Sequence, residues 1–340
     1  MSRDYLLDIC SIPSPSGYED SLINYILNYS KKNHSQVKAV LDSGELYMVR
    51  QSNDPNNPTI FLDAHIDQVS FRVYRITPEG FLICKGFGVD VKDVIGHSVQ
   101  IFTNAGIIDG VSVFYPPHLE QKLDEIIIDP LGKKAEIGDP VFFPCHPRIH
   151  GDFIIGGGLD NHLGVYTLLR FADHIDSLAG VDYNVIIHMS RKEEVGGLKY
   201  IHILDDYPEL IPKRIDLMII LDTEIAFDYP RLNTDQFPDI SLGSGPVLTR
   251  NLTDNHQVFK FFKSLQDSKY QVAMSDIAQA GNNLADYNRL SSLGQSIGIP
   301  LRYMHSPVEV ARLSDIEDTL RLLQTCFENL DSFFHPMRNK

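Results

Sequence analysis

The apolar segments of this 340-residue chain change character twice along its length, which limits the folds that it can adopt. Between residues 70 and 155, short β-rich segments such as Phe71-Arg-Val-Tyr74 alternate with turn residues. On either side, buried strands such as Thr59-Ile-Phe-Leu62 alternate with amphipathic helical segments. We therefore predict an α/β protein: residues 1–69 and 156–340 form a doubly wound domain with a mixed sheet, and residues 70–155 form an inserted small β-barrel-like domain.

Two helices have a predicted start in the sequence. Ser16-Gly-Tyr-Glu19 and Ser314-Asp-Ile-Glu317 both match the capping-box pattern, in which the serine and glutamate side chains satisfy the first free N–H groups of a helix. Apolar residues at helical spacing follow each of them, so we expect amphipathic helices with one buried face at both places.

Composition and charge narrow the classes of function. The formal net charge of −15 argues against nucleic-acid binding. No apolar run is long enough for a signal peptide or a membrane span, so we expect neither a membrane partner nor secretion. The four cysteines, Cys10, Cys84, Cys145 and Cys326, are scattered and have no C-x-x-C spacing. They are predicted to be free thiols in a reducing compartment, and the expected location is the cytoplasm.

Acidic and histidine residues follow the predicted strands at the points where the strands end. They are His65 and Asp67, Asp160, the pair Glu193-Glu194, Asp222, and His305. In an open α/β sheet, ligands bind beyond the carboxyl ends of the strands, so parallel strands would bring all of these side chains into one crevice. Each motif alone is weak, because a lone carboxylate at a strand end is often only a helix cap. Their joint occurrence favours a single site.

Histidine and carboxylate ligands without thiolates suit zinc, cobalt or manganese. Five such ligands are too many for one catalytic zinc, but they suffice for two metal ions if one carboxylate bridges both. Asp67 can accept the second ring N–H of His65 and fix its tautomer. Of the pair Glu193-Glu194, one carboxylate can bind metal while the other acts as a general base on water.

With these motifs the sequence resembles the tetrahedral (TET) aminopeptidases, also called the glutamyl or deblocking aminopeptidase family. The resemblance covers nearly the whole chain, from Ile12-Pro-Ser-Pro-Ser-Gly-Tyr-Glu19 to Arg302-Tyr-Met-His-Ser-Pro-Val-Glu309. Its most specific matches are Asp63-Ala-His65-Ile-Asp67 and Glu193-Glu-Val-Gly196. The resemblance implies a dinuclear metallopeptidase that removes N-terminal residues from peptides, with an α/β catalytic domain and an inserted β domain.

The resemblance also implies a role for each site residue. His65 and Asp222 would bind one metal ion, Glu194 and His305 would bind the other, and Asp160 would bridge both. Glu193 would be the general base and Asp67 would orient His65. The cofactors would be two divalent metal ions per subunit, zinc in the first place and otherwise cobalt or manganese. The partners would be peptide substrates and further copies of the chain, in a homo-oligomer that is often a dodecamer in this family.

The chain departs from the family pattern at positions that shape the pocket. Gln68 and Ser70 stand where similar proteins usually have Glu and Gly, and His162 stands where they usually have Arg. A glycine-rich segment before the proposed ligand His305 is replaced by Gly281-Asn-Asn-Leu-Ala-Asp286. None of these changes removes a proposed ligand, but they leave substrate preference and assembly open.

Two other functions fit the same residues. A dinuclear deacylase acting on small N-acyl amides would use the same metal chemistry, and a metal-binding assembly subunit with vestigial activity would need only the ligands. His162 is the histidine outside the ligand set with the best case for a function. His188 is expected to pack or hydrogen-bond within a strand. We expect four other histidines to be structural or surface residues: His97, His118, His146 and His150.

Overall fold

The computed structural model describes residues 3–86, 88–119, 123–179, 182–196, 214–232, 237–250, 255–265, 269–274, 284–287, 291 and 293–338. The helices within these ranges are α1 (Arg3–Ser11), α2 (Asp20–Asn33), α3 (Val91–Val94), α4 (Leu159–Ser177), α5 (His256–Ser264), α6 (Leu284–Tyr287), α7 (Leu313–Glu328) and α8 (Leu330–Arg338). Short 3-10 helices lie at Pro117–Leu119 and Glu193–Val195.

An 11-stranded mixed sheet forms the larger part of the described structure. Its strands are β1 (Lys38–Asp42), β2 (Glu45–Arg50), β3 (Thr59–His65), β10 (Arg148–His150), β11 (Phe153–Gly156), β12 (Asn184–Ser190), β13 (Leu217–Ile225), β14 (Val247–Arg250), β15 (Gln271–Met274), β16 (Gly294–Arg302) and β17 (Glu309–Arg312). The main path runs β1-β2-β12-β3-β13-β16-β17-β11-β10, and β14 joins β15 to β16. The four central strands β12, β3, β13 and β16 are parallel, so their carboxyl ends lie at one edge of the sheet.

A second, closed sheet lies between β3 and β10 in the chain. Its strands are β4 (Phe71–Ile76), β5 (Leu82–Gly86), β6 (Ser98–Thr103), β7 (Gly106–Ser112), β8 (Ile126–Asp129) and β9 (Pro140–Phe142). They close in the order β4-β5-β8-β7-β6-β9, and all of their pairings are antiparallel. Closure leaves no free sheet edge, and the inward side chains form a core of their own.

The central sheet is covered on both faces. Along β3, the side chains of Ile60, Leu62 and Ala64 belong to the main core with the helices, whereas Phe61 packs on the opposite face with Leu284 of α6. This alternation is the period-2 pattern of a strand that is buried on both sides. The predicted fold class, α/β with a mixed sheet and a β-barrel, is confirmed.

Where the two domains divide stays a prediction. The sequence suggested that the insertion ends at residue 155, but β10 and β11 pair with each other and with β17 of the large sheet. We therefore propose that the insertion ends between Phe142 and Arg148.

Both predicted capping boxes are wrong in detail. The structure starts α2 at Asp20, and the Ser16 hydroxyl donates to Asp67 instead of capping the helix. Helix α7 starts at Leu313, so Ser314 lies inside its first turn. Ser16 does not cap α2, because its hydroxyl is hydrogen-bonded to Asp67. Ser314 does not cap α7, because it already lies within that helix. The predicted buried faces do form, with Leu22 and Ile26 fully buried on α2.

None of the helices in the described ranges combines the length and the apolar character that crossing a bilayer requires. The four cysteines are buried and free, as predicted.

Candidate metal centre

Five predicted ligand residues meet at the carboxyl edge of the parallel strands. His65 is the last residue of β3, Asp222 lies near the end of β13, and His305 follows β16 by three residues. Asp160 is in the first turn of α4, and Glu194 is in the 3-10 helix that follows β12. The sheet therefore positions all five side chains through the ends of adjacent elements, as expected for an open α/β sheet.

The Asp160 carboxylate lies between the two imidazoles. Its Oδ1 is 3.4 Å from His65 Nε2, and its Oδ2 is 3.3 Å from His305 Nε2. Each imidazole also faces a second carboxylate, with Asp222 Oδ1 at 3.2 Å from His65 Nε2 and Glu194 Oε2 at 3.3 Å from His305 Nε2. The geometry is thus two histidine-carboxylate pairs joined by one shared carboxylate.

The second ring nitrogen of each imidazole faces a backbone carbonyl. His65 Nδ1 is 3.0 Å from the carbonyl oxygen of Asp67, and His305 Nδ1 is 3.1 Å from that of Gly88. An Nδ1–H that donates to a carbonyl leaves the lone pair on Nε2, which in both rings points at the carboxylates. This is the tautomer that a metal-binding histidine needs.

Asp67 contacts His65 through both its backbone and its side chain, and its role in orienting that ring stays a prediction. Its backbone carbonyl oxygen is 3.0 Å from His65 Nδ1, and its carboxylate is 3.6 Å from the same nitrogen. The carboxylate also accepts the backbone N–H of Glu193 at 2.9 Å, the N–H of Glu194 at 3.2 Å and the Ser16 hydroxyl at 2.6 Å. Asp67 therefore fixes the backbone of the turn that carries Glu193 and Glu194, because its carboxylate accepts the N–H groups of both residues.

Glu309 is a residue to which the sequence analysis assigned no role. It is buried at 1 % exposure, and its carboxylate accepts the backbone N–H groups of Leu159 at 2.6 Å, Asp160 at 3.2 Å and His305 at 2.9 Å. It thus joins the loops of two ligand residues. The one available signal was an acid between two valines, Val308 and Val310, at the start of a strand.

The loop that carries His305 is also anchored on its other side. Arg302 donates two hydrogen bonds to the Asp228 carboxylate, at 2.7 Å from Nε and 2.5 Å from Nη2. The N–H of Tyr303 donates to the Tyr229 hydroxyl at 2.9 Å. Both Tyr303 and His305 have positive φ angles, 61° and 62°, so neighbouring contacts must hold this backbone in its left-handed turns.

The residues present fit a bound cation. Burial, and then the charge of Asp160, raises the pKa of the Glu194 carboxyl well above its usual value, and burial also raises the pKa of Asp222. Burial opposes the charge on His305, yet a hydrogen bond to Asp160 and the charge of Glu194 raise its pKa to about 10. A bound cation would therefore stabilise the ionised forms of these closely spaced carboxylates. Asp160 Oδ1 and Glu194 Oε1 are also buried without a hydrogen-bond partner in the described structure, which is costly unless a ligand uses them.

A comparison with known families identifies the chain. The model of the M42 glutamyl aminopeptidase family matches residues 44–322. The chain belongs to this family. It is therefore a peptide hydrolase of a metal-dependent family, and His65, Asp160 and Glu194 offer ligand atoms that all lie within 4.8 Å of one another.

Individual relatives agree with the family. The lysyl aminopeptidase of Pyrococcus furiosus is 25 % identical over 299 residues, which cover 80 % of this chain and 82 % of that protein. An aminopeptidase from the archaeon Desulfurococcus kamchatkensis has the same fold, with a TM-score of 0.83, 24 % identity, and coverage of 96 % of this chain and 94 % of its own. The TET1 peptidase of Pyrococcus horikoshii, which can assemble into a tetrahedron or a large octahedral shell, has a TM-score of 0.75, 23 % identity, and coverage of 95 % and 98 %.

Two of the positions where this member of the M42 family departs from the expected pattern, Gln68 and His162, are buried. His162 is fully buried, and its Nε2 is 2.7 Å from the Ser14 hydroxyl oxygen. Burial, and then the charge of His65, lowers its pKa to about 4, so this ring supports the site as a neutral group. Gln68 accepts hydrogen bonds from the Ser14 N–H and the Cys145 thiol. Residues 281–283 of the altered segment lie outside the described residues.

The five other histidines with positions predicted from the sequence have those positions. His188 lies in β12, where its Nδ1 is 2.8 Å from Asp63 and its Nε2 is 3.2 Å from Glu45, and its ring stacks on Tyr47. The four histidines that were expected to be structural or surface residues are exposed: His97, His118, His146 and His150.

Proposed function

We propose that this chain is an aminopeptidase with a dinuclear metal centre. The observation that supports the proposal most directly is the position of the Asp160 carboxylate, which directs one oxygen to each imidazole. One cation would be held by His65, Asp222 and Asp160, and the other by His305, Glu194 and Asp160. Nitrogen and oxygen ligands without sulfur suit zinc, and the same set accepts cobalt or manganese.

The proposed reaction is hydrolysis of the first peptide bond of a substrate. Two bound cations would polarise the scissile carbonyl and bring the pKa of a water molecule toward neutrality. Glu193 would accept the proton of the attacking water on its carboxylate and then deliver it to the leaving amine. The contacts of Asp67 support separate roles for Glu193 and Glu194. Asp67 accepts the N–H groups of both residues and so fixes their backbone, from which consecutive side chains leave in different directions.

We also propose that the chain forms a homo-oligomer. Its relative from Pyrococcus horikoshii can assemble into a tetrahedron or a large octahedral shell. In this chain the barrel and its loops carry exposed large apolar side chains that contacts with another copy would bury, including Ile137 at 70 %, Tyr74 at 58 % and Phe114 at 54 %. A dodecamer would appear as a particle twelve times the 38.4 kDa chain mass in light scattering.

The central test is the variant Glu193→Gln, measured for bound metal and for turnover of aminoacyl reporter substrates. We expect two zinc ions per chain to remain, because Glu193 is not a proposed ligand, and turnover to fall by about 10²–10⁴-fold, as for loss of a general base. Glu79→Gln, an exposed residue of the barrel, is the matched control and should leave both unchanged. Near-normal turnover in Glu193→Gln would refute the role of the base.

The same assay separates the two competing functions. A dinuclear deacylase would cleave N-acyl amino acids and would not need a free α-amine, whereas an aminopeptidase requires the free amine. An assembly subunit with vestigial activity would bind metal but cleave neither class of substrate. Cleavage restricted to substrates with a free amine supports the proposal against both.

A further inference from the structure

The proposed general base lies in a turn whose backbone is strained. We define the base turn as residues 191–194. Within it Lys192 is left-handed, with φ at 62°, and the short 3-10 helix Glu193–Val195 follows directly. A residue other than glycine avoids this conformation because its Cβ approaches a backbone oxygen, so contacts from outside the turn must hold it there. The direction in which the Glu193 side chain leaves the backbone therefore depends on what fixes the residues on either side of Lys192.

The residues after Lys192 are held by Asp67. Its carboxylate accepts the N–H of Glu193 at 2.9 Å and the N–H of Glu194 at 3.2 Å. The Ser16 hydroxyl donates to the same carboxylate at 2.6 Å. These contacts fix the amide groups of both glutamates, but they leave the backbone before Lys192 to other partners.

The residue before Lys192 is Arg191, and it is held through both its side chain and its backbone. Its Nε donates to Glu19 Oε2 at 2.8 Å, and its Nη2 lies 2.5 Å from the same oxygen. Its Nη1 donates to the carbonyl of Gly44 at 3.1 Å, and its backbone N–H donates to the Glu45 carboxylate at 3.2 Å. Arg191 thus enters the base turn with a fixed position and direction.

The carboxylate that holds Arg191 is used for nothing else in its own helix. Glu19 directly precedes α2, yet its side chain makes no capping hydrogen bond there. It is fully buried, and its Oε1 accepts the N–H of Gly17 at 2.6 Å. A buried ion pair loses the hydration of both charges, and packed apolar side chains in its place are often equally stable or more stable. Stability alone therefore gives no reason for this pair, whereas the placement of Arg191 does.

One short loop holds the base turn at both ends. Ser16 contacts Asp67, and Glu19, three residues later, contacts Arg191. Asp67 is itself only two residues beyond the proposed ligand His65. The loop and Asp67 therefore fix the base turn relative to the strand that carries a proposed metal ligand.

We propose that Arg191, held by Glu19, is a positioning residue for the carboxylate of Glu193. The inference rests on the proposed role of Glu193 as general base, and Arg191 itself touches none of the reacting atoms. Without the Arg191 contacts, Lys192 can relax to a right-handed or extended backbone while Asp67 still holds the amide groups beyond it. The Glu193 carboxylate would then leave the position from which it takes a proton from water.

The first measurement is the steady-state kinetics of Arg191→Met on aminoacyl reporter substrates, in excess zinc so that the metal sites stay filled. A small displacement of a reacting group costs up to about 100-fold in rate, so we expect kcat to fall by about 10–100-fold. KM should change little, because Arg191 is not proposed to contact the substrate. Arg191→Lys keeps a positive charge beside Glu19 and should recover part of the lost kcat.

The decisive measurement repeats the substitution in a protein without the base. If Arg191 acts through Glu193, adding Arg191→Met to Glu193→Gln should not lower the residual turnover further. A general structural role would lower it by the same factor as in the unchanged protein. This comparison separates positioning of the base from loss of order elsewhere in the site.

Two controls address folding. Arg191→Met alone leaves the buried Glu19 carboxylate unpaired, which destabilises the fold. The double variant Glu19→Gln, Arg191→Met removes both charges and should show the same loss of kcat. Arg170→Met breaks a comparable arginine–glutamate pair, between α4 and α7, and should leave kcat unchanged.

Hydrogen exchange gives a readout that does not depend on turnover. We expect the Glu193 amide to exchange faster in full-length Arg191→Met than in Arg170→Met, because the strained turn opens more often. The inference is overturned if this amide is unaffected, if the charge-free double variant keeps normal kcat, or if Arg191→Met costs as much without the base as with it. Any of these results beside an inactive Glu193→Gln refutes the role of Arg191 alone, whereas near-normal turnover in Glu193→Gln refutes the base itself.

Discussion

The two imidazoles of the proposed metal centre are held in different ways. His65 ends a central strand, its side chain is 3 % exposed, and its Nδ1 meets a carbonyl only two residues away. The side chain of His305 is 28 % exposed, lies in a loop with a positive φ, and its Nδ1 meets the Gly88 carbonyl from the inserted segment. One half of the site is therefore built into the sheet, whereas the other is assembled from parts distant in sequence.

This difference predicts unequal metal sites. The cation at His65 would have ligands on rigid elements, which favours tight binding and slow exchange. The cation at His305 would depend on Glu309, on the Arg302–Asp228 pair and on Gly88 together. We expect a chelator to remove the His305 cation first, and the following variants should change this order or remove it.

The largest effect is expected for Asp160→Asn. The shared carboxylate is the only proposed ligand common to both cations, so its loss should lower bound zinc from two ions per chain to one or none. Turnover of aminoacyl reporters should fall by at least about 10³-fold, since both proposed cations would act on the same water and carbonyl. Zinc content by mass spectrometry and steady-state kinetics measure both quantities. Asp182→Asn, at an exposed position, is the control, and two retained ions in Asp160→Asn would contradict the bridging role.

Glu309→Gln should affect one half of the site. Glutamine keeps one acceptor oxygen but loses the charge and part of the three backbone contacts that tie His305 to Asp160. Loss of such a supporting contact typically weakens metal binding by about 10–100-fold. We expect two-phase zinc titrations in which only the weaker phase shifts. An equal shift of both phases would show that Glu309 does not distinguish the two halves, and Glu328→Gln serves as an exposed control.

Gly88→Ala tests the contribution of the inserted segment. A Cβ on Gly88 would lie 2.7 Å from His305 Nδ1, so the ring must move away from its carbonyl partner. The expected result is about tenfold weaker binding of the His305 cation, with the His65 cation unchanged. Gly80→Ala is a close control, because Gly80 also has a positive φ but has nothing within 4 Å of the added Cβ. If the two alanine variants behave alike, only backbone strain is at work.

The same comparison explains how far the sequence could predict the site. Every proposed ligand was predicted as an acidic or histidine residue that follows an apolar strand. Such a residue can be recognised from local sequence, because it is close in the chain to the strand that positions it. The parallel order of the central strands then brings those residues together, and periodicity alone predicts the strands. His65, Asp222 and the pair Glu193-Glu194 could thus be located without coordinates.

The supports of His305 could not be predicted in this way. The contacts of Gly88 and Glu309 join segments that are far apart or lie across a turn, and no local pattern encodes them. The hydrogen bond from the Ser16 hydroxyl to the Asp67 carboxylate could not be predicted for the same reason, since Ser16 comes from a distant loop. Strands β10 and β11 were placed in the insertion because short β-rich segments do not reveal which sheet they join.

The smallest effect concerns the rigid half. His188 pairs with Asp63 on β3, two residues before His65, and with Glu45 on β2. Burial opposes its charge, but the hydrogen bonds and charges of Asp63 and Glu45 raise its pKa from 6.5 to about 9. Since the folded-state pKa lies above the unfolded value, the contribution to stability is complete below about pH 6.5 and is lost as the pH rises through about 9.

For metal-free protein we therefore expect His188→Gln to lower the free energy of unfolding by on the order of 2 kcal/mol at pH 6, and by much less at pH 9.5. Denaturant titrations at several pH values measure this difference, and His97→Gln, at an exposed histidine, should show none. A His188→Gln effect that does not change with pH would mean that the ring stabilises the sheet by contacts that do not need its charge, such as stacking on Tyr47 of β2. The His65 half of the site would then be held in place by packing. It would differ from the His305 half in how deeply its residues are buried, and the charge of His188 would not contribute to the difference.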